Sequence, residues 1–182
     1  MRALLLAAVL VLSSGHALAA DACAAQIPSS LKAAIAKAYP KFRLPAATDN
    51  LPEDIDWSLK NGGKGCLGVA KADFDGDGKT DFVLGLSTLD GSGGVVVVAL
   101  ARGRGWKVET LRAWPQDRDR LYVGTDKPGE YERTEALDGP LEPGERERLK
   151  CRHSAVVFGA TESTGVAYCL NNGIWEHSWI SD

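Results

Sequence analysis

The segment of this sequence best suited to chemistry is an acidic, glycine-rich run, Asp73-Phe74-Asp75-Gly76-Asp77-Gly78-Lys79-Thr80-Asp81. It places carboxylates at positions 1, 3, 5 and 9. Ca²⁺ takes roughly six to eight oxygen ligands, and this spacing can wrap a loop around one such ion. Four carboxylates this close also repel one another unless a cation lies among them. We therefore predict a Ca²⁺ site and disfavour Mg²⁺, which prefers rigid octahedral geometry and few protein ligands.

The position of each residue in this loop predicts its role as a ligand. The first, third and fifth positions offer side-chain oxygens, and the seventh offers a backbone carbonyl, for which no particular side chain is needed. The ninth position closes the shell, directly or through water. In this order the predicted ligands are Asp73, Asp75, Asp77, Lys79 and Asp81.

The flanks of the loop distinguish it from an EF-hand. An EF-hand has a bidentate Glu at position 12 and a helix on each side, whereas position 12 here is Leu84. The segments 67–72 and 82–86 have the apolar pattern of strands. We therefore interpret the loop as a strand–loop–strand version of the same ligand spacing.

At these residues the sequence resembles a known family. Asp73-Phe74-Asp75-Gly76-Asp77-Gly78, followed by Lys79-Thr80-Asp81-Phe82-Val83-Leu84, is similar to the calcium loop of integrin-type FG-GAP (VCBS) repeats. The resemblance implies that the five residues named above are the ligands and that the loop joins two strands of a β-propeller blade. It also implies that the four strands between 67 and 111 form one blade. A single such motif is present, so one blade or a partial propeller is expected rather than a closed ring.

Apolar periodicity predicts the other elements. One N-terminal helix is expected over 31–38, capped by Ser29 or Ser30, and the segment 42–57 is interpreted as irregular. Strands are predicted at 67–72, 81–87, 94–101, 106–111, 155–158, 166–170 and 174–180. The four valines at 95–98 lack polar alternation, which indicates a central strand covered on both faces. The segment 116–150 is expected to form long loops with one or two short strands. The predicted fold class is mainly β, an antiparallel meander with one N-terminal helix.

The N-terminal segment is typical of export. Residues 1–20 combine Arg2, a short apolar run and small residues before Ala19 and Ala20, which predicts a signal peptide cleaved after either alanine. Residues 21–182 are then a single calcium-binding β domain, periplasmic or secreted and not membrane-spanning. Lipid attachment at Cys23 is an alternative that Asp21 disfavours.

The cysteines fit an oxidising compartment. There are four, Cys23, Cys66, Cys151 and Cys169, and none lies in a CxxC pair. An even number in an exported chain predicts two disulfides, for which three pairings exist. We favour Cys151–Cys169, because their strands look like the arms of one hairpin, and hence Cys23–Cys66.

Charge and motifs exclude several functions. The formal net charge is −3 and basic residues are interleaved with acids, so nucleic acid is not expected as a partner. After signal removal the histidines are His153 and His177, and neither has an obvious nucleophile beside it in sequence. No Gly-x-Ser-x-Gly elbow or phosphate-binding glycine loop is present. An enzyme is therefore not the favoured interpretation.

The last predicted strand carries a second candidate feature. Trp175, His177 and Trp179 alternate, so they share one face of the strand. They form either a core face with a satisfied histidine or an aromatic surface that binds a sugar or a protein.

These observations lead to a functional hypothesis. We expect an exported calcium-binding protein that acts as a binding or inhibitor module, by analogy of type with periplasmic lysozyme inhibitors and immunity proteins. The expected partner is a protein, a cell-wall hydrolase or a toxin. The alternatives are a periplasmic hydrolase that uses the Asp cluster, and a structural envelope protein.

Overall fold

The computed structural model describes residues 21–115 and 118–181, so the predicted signal peptide at 1–20 lies outside the described residues. Within these ranges the chain forms two α-helices, α1 (Ser29–Ala38) and α2 (Pro52–Lys60), with short 3₁₀ turns. The strands are β1 (Phe42–Arg43), β2 (Val69–Ala72), β3 (Asp81–Thr88), β4 (Gly94–Arg102), β5 (Gly105–Trp114), β6 (Leu121–Asp126), β7 (Gly129–Glu132), β8 (Arg148–Cys151), β9 (Ala155–Ala160), β10 (Gly165–Asn171) and β11 (Ile174–Ser181). Neither helix in this part of the chain is long and apolar enough to cross a membrane.

The strands form two antiparallel sheets and a separate hairpin. In the first sheet β2, β3, β4 and β5 pair in chain order, and β1 also pairs with β3. The second sheet has the order β11-β10-β9-β6, and β7 pairs with β8 alone. The predicted class, mainly β with an antiparallel meander, is confirmed, and the four strands expected between 67 and 111 are present in that order.

The two faces of β4 explain how the layers pack. Val95 and Val97 face a core shared with α1, whereas Val96 and Val98 face a core shared with the second sheet. The prediction of a central strand covered on both faces is therefore confirmed. A third cluster lies between the second sheet and the β7–β8 hairpin, so the layers are helix, sheet, sheet and hairpin.

Helix α1 is positioned by its apolar stripe. Leu31 and Ile35 lie one turn apart and are fully buried against the first sheet, which contributes roughly 1.5–3 kcal/mol for each side chain. The predicted serine cap is wrong, because the N-cap is Pro28 and no side chain caps the helix. The hydroxyl of Ser30 instead accepts a hydrogen bond from Trp106 Nε1 at 3.1 Å, which ties α1 to β5.

Helix α2 was not predicted, since the segment 42–57 was interpreted as irregular. None of its residues is buried, and its apolar stripe is short, with Ile55 and Leu59 four residues apart. Its start signals are Pro52 in the first turn and the acidic Glu53 and Asp54, which interact favourably with the helix dipole. The backbone N–H of Leu51 donates to the carbonyl of Asp119 at 3.2 Å, so a hydrogen bond to the segment before β6 helps to hold this helix.

Two disulfides are present, and their pairing is the favoured one. Cys23 bonds to Cys66, so its sulfur cannot also carry a lipid. Cys151 bonds to Cys169, but the expected reason is wrong. Their strands, β8 and β10, are not arms of one hairpin, because β8 pairs with β7. This disulfide therefore joins the small hairpin to the second sheet.

Candidate metal centre and the loops around it

The acidic loop is closed by the pairing of the strands beside it. Ala72 at the end of β2 is opposite Asp81 at the start of β3. Inside the loop the carboxylate of Asp73 accepts the backbone N–H groups of Gly76 at 2.7 Å and Gly78 at 2.9 Å. Both glycines have positive φ, 76° and 79°, a conformation that costs other residues about 1–2 kcal/mol. The chain therefore curls around the side chain of Asp73.

Three of the predicted ligands converge. One carboxylate oxygen from each of Asp73, Asp75 and Asp81 lies within 4.8 Å of the other two. These groups could hold a metal ion. Their donors are oxygens alone, the set that hard cations such as Ca²⁺ select.

Asp81 anchors this group in the protein interior. Asp81 is fully buried, and its carboxylate accepts hydrogen bonds from the backbone N–H groups of Phe74 at 3.0 Å and Ala101 at 2.8 Å. Burial raises the pKa of Asp81, and the charges of Asp75 and Asp77 add to the rise, against the lowering effect of the two N–H donors. A cation between the carboxylates would relieve this cost of holding Asp81 ionised.

Asp77 is turned toward basic side chains and is not part of the converging group. Its Oδ2 lies 2.8 Å from Lys79 Nζ and 3.6 Å from Arg102 Nη1. The hydrogen bond from Lys79 lowers the pKa of Asp77. Arg102 also pairs with Asp75. Two basic side chains thus neutralise part of the loop's charge, Lys79 from within the loop and Arg102 from the end of β4. The prediction gave Lys79 only a carbonyl role, whereas its side chain pairs with Asp77.

His153 packs against the loop from the other half of the chain. It lies between β8 and β9, and its ring covers Gly76 so closely that a Cβ at position 76 would be 2.1 Å from its Cε1. A side chain at position 76 would therefore have to displace the His153 ring, in addition to adopting a positive φ. This contact joins the acidic loop to the segment that follows the disulfide cysteine Cys151.

A second polar cluster lies in the loop between β7 and β8 and on β11. Ligand atoms of Glu142, Glu145 and His177 also lie within 4.8 Å of one another. Arg112 Nη2 contacts Glu142 Oε2 and lies 3.3 Å from His177 Nε2. A guanidinium thus already occupies the space between two of the three groups, which makes this cluster the poorer metal site.

The charges of this second cluster are compensated within the protein. Glu145 is almost fully buried and pairs with Arg133 at 2.7 Å. The hydrogen bond from Arg112 lowers the pKa of Glu142. Burial, with the positive charge of Arg112, lowers the pKa of His177. Glu142 and His177 line a cavity of about 330 Å³ together with Arg112, and the ion pairs of Glu142 and Glu145 anchor the β7–β8 loop.

The aromatic face of β11 is directed mainly toward the core. His177 is 4 % exposed and stacks on Tyr168 with ring centroids 4.7 Å apart. Trp175 and Trp179 are partly buried against the core between the sheets, and Arg112 lies over the Trp179 ring at 4.9 Å. This arrangement favours the core interpretation of the three residues. Trp175 and His177 also line the small cavity, so a binding role there stays a prediction.

Sequence reasoning missed two residues that surround the acidic loop, Arg102 and His153, which are distant from it in the chain. It also missed the contact of Arg112 with Glu142 in the second cluster, which joins different elements. The local signal for Arg102 was its place directly after the strand predicted at 94–101, next to Ala101. No comparable signal exists for His153, because the packing of the second sheet decides its position.

Comparison of the chain with known protein families, curated proteins and solved structures finds no match. The resemblance of the acidic loop to FG-GAP repeats therefore stays a prediction. The function has to be inferred from the geometry of the site.

Proposed function

We propose that the protein is an exported Ca²⁺-binding protein in which the ion stabilises the fold. The observation that carries the proposal is the convergence of carboxylate oxygens from Asp73, Asp75 and Asp81 within 4.8 Å. The group contains no nitrogen or sulfur ligand, which favours Ca²⁺ over Zn²⁺. The glycine-containing loop can adapt to a larger coordination number, which favours Ca²⁺ over Mg²⁺.

The surroundings of the loop support a structural role for the ion. Asp81 is hydrogen-bonded to Ala101 on β4, and Gly76 contacts the ring of His153, which lies just before β9. Ordering the loop therefore fixes contacts to both sheets. Export is supported by the two disulfides, which persist in oxidising compartments.

Thermal unfolding with Ca²⁺, Mg²⁺ or EDTA tests the proposal. Ligand at a hundredfold excess over its Kd stabilises a protein by about 2.7 kcal/mol, which corresponds to a rise in Tm of roughly 5–10 °C for a domain of this size. We expect this rise with Ca²⁺, a smaller one with Mg²⁺ and none with EDTA. Asp75→Asn should reduce the rise by about half or more at the same Ca²⁺ concentration, whereas Asp90→Asn, in the β3–β4 turn, should retain it. An unchanged Tm in saturating Ca²⁺ would contradict the proposal.

We also propose that the calcium-stabilised scaffold acts by binding a protein, with a cell-wall hydrolase or toxin as the partner class. The support is the loop between β7 and β8. Its base is fixed by the buried Arg133–Glu145 pair and by Arg146, whose N–H donates to the carbonyl of His177. Its tip exposes Leu141 at 41 %. A preformed loop loses little conformational entropy when it enters a partner's cleft.

Inhibition assays against peptidoglycan hydrolases, in the presence of Ca²⁺, test this second step. We expect the wild-type protein to inhibit at least one hydrolase, and Leu141→Asp to weaken inhibition by about tenfold or more, because a buried interface charge is costly. Leu89→Asp, at an exposed leucine in the β3–β4 turn, is the matched control. Equal inhibition by both variants would show that the loop is not the contact surface.

A further inference from the structure

A second cleft, which shares no residue with the acidic loop, lies beside α2. It encloses about 630 Å³ between α2, the segment before β2, the strand β6 and the turn between β9 and β10. Its carboxylates are Glu53, Asp54 and Glu162, and its aromatic rings are Trp57 and Tyr122. No described residue lining the cleft is a lysine, arginine or histidine.

Helix α2 presents these groups because of its spacing and its attachments. Glu53 and Trp57 are four residues apart, so they lie on one face of the helix. Asp54 Oδ2 accepts a hydrogen bond from Thr161 Oγ1 at 2.8 Å, which fixes the helix against the turn between β9 and β10. Asn50, just before the helix, donates from Nδ2 to the carbonyl of Leu121 at 2.8 Å. The cleft is therefore held open by specific hydrogen bonds.

The exposure of Trp57 is the feature that the fold itself does not explain. Its side chain is 65 % exposed although it borders an apolar cleft, and it contributes to none of the three hydrophobic clusters among the described residues. An indole ring attracts cations to its face through its quadrupole. Carboxylates beside it attract the same ligands by charge.

The arrangement of the carboxylates favours an organic cation over a bare metal ion as the ligand of this cleft. The groups whose oxygens converge within 4.8 Å, among the residues described, do not include Glu53, Asp54 or Glu162. Three dispersed negative charges around aromatic walls suit a cation whose charge is spread over a bulky, partly apolar head. The volume lies within the range of about 300–1,000 Å³ typical of small-molecule sites.

We propose that this cleft binds a small organic ammonium compound, with the cationic head between Trp57, Tyr122 and the carboxylates of Glu53 and Asp54. This binding does not depend on the calcium site, since the two share no residue. The head is a tertiary or quaternary ammonium group. Its alkyl groups exclude water from the aromatic faces, and its charge lies near the carboxylates of Glu53 and Asp54.

Choline and its neutral carbon isostere, in which a tert-butyl group replaces the trimethylammonium group, are the probes. The readout is the NMR shift of the Trp57 indole N–H, assigned by its absence in Trp57→Leu, together with a calorimetric Kd. We expect choline to shift this signal and to bind at least about tenfold more tightly than the isostere. Equal binding of the two compounds, or no shift with choline, would overturn the proposal.

Two variants of equal charge make the test specific. Asp54→Asn removes a charge that lines the cleft, whereas Asp56→Asn removes one from the same helix outside the lining. We expect about tenfold weaker choline binding in Asp54→Asn and an unchanged Kd in Asp56→Asn. Thermal unfolding checks that both remain folded. Equal weakening in both variants would show a general charge effect and would also overturn the proposal.

Discussion

Arg102 Nη2 lies 2.5 Å from Oδ2 of Asp75, at the edge of the converging carboxylates. Arg102 ends β4, and the register of the first sheet brings it beside the loop. The same guanidinium lies 3.6 Å from Asp77. A cation supplied by the protein therefore occupies part of the space around the acids and competes with a bound metal ion.

Replacing Arg102 by Gln should strengthen Ca²⁺ binding. The substitution removes a competing positive charge. Exposed ion pairs contribute about 0.2–1 kcal/mol and this one is partly buried, so we expect a decrease in Kd of at least roughly two- to fivefold. Calcium titration by calorimetry measures it. Arg104→Gln, in the following turn, removes the same charge, and Arg104 forms no ion pair with the loop among the described contacts. A weaker affinity in Arg102→Gln would contradict the competition.

The individual aspartates should differ in their contribution to Ca²⁺ binding. Asp75 belongs to the converging group, whereas Asp77 pairs with Lys79. We expect Asp75→Asn to weaken Ca²⁺ binding by about tenfold or more, and Asp77→Asn to weaken it less. The measurement is the Kd of each variant under the same conditions. Equal losses would instead favour the ligand set given by loop position alone, in which both residues coordinate.

Two glycine substitutions separate backbone strain from steric overlap. Gly76 and Gly78 both have positive φ, but a Cβ has open space at Gly78 and meets His153 at Gly76. Gly78→Ala should cost about 1–2 kcal/mol of unfolding free energy for its φ alone. Gly76→Ala should cost a further 1–3 kcal/mol, approximately, for the overlap.

Chemical denaturation of both glycine variants measures this difference. The double variant Gly76→Ala, His153→Ala should recover most of the additional loss, because the overlapping ring is then absent. If the double variant is no more stable than Gly76→Ala, the ring of His153 does not cover the loop in solution.

Acidification should destabilise the protein through the cluster at His177. Burial and Arg112 hold the pKa of His177 below its ordinary 6.5, so the unfolded chain binds more protons than the folded one as pH falls through 6.5. The lowered pKa of Glu142 acts in the same direction below 4.5. We expect Tm to fall between about pH 7 and pH 5, and to fall less in His177→Gln. An identical pH dependence in the two proteins would exclude His177 as the source.

The strands were predictable because the apolar pattern of each strand reflects the burial of its own faces. The alternating and continuous apolar runs of β3 and β4 reflect burial on one or two faces, and the loop between β2 and β3 is marked by aspartate and glycine. Helix α2 was missed because its apolar stripe is short and no residue in it is buried. Hydrogen bonds such as Asn50 to Leu121 help to hold it. Its start signals, Pro52 and the acids after it, were present in the sequence, as was the four-residue spacing of Ile55 and Leu59.

The sequence by itself determined the acidic loop, because its carboxylates lie within nine residues of one another and the turn that gathers them is local. Only the tertiary structure decided which of them converge and what surrounds them. Asp81 is buried by the pairing of β3 with β4, Arg102 reaches Asp75 through the register of that pairing, and His153 arrives from beyond β8. Contacts between residues far apart in the chain depend on how whole sheets pack, and neither residue type nor spacing within one segment specifies that packing.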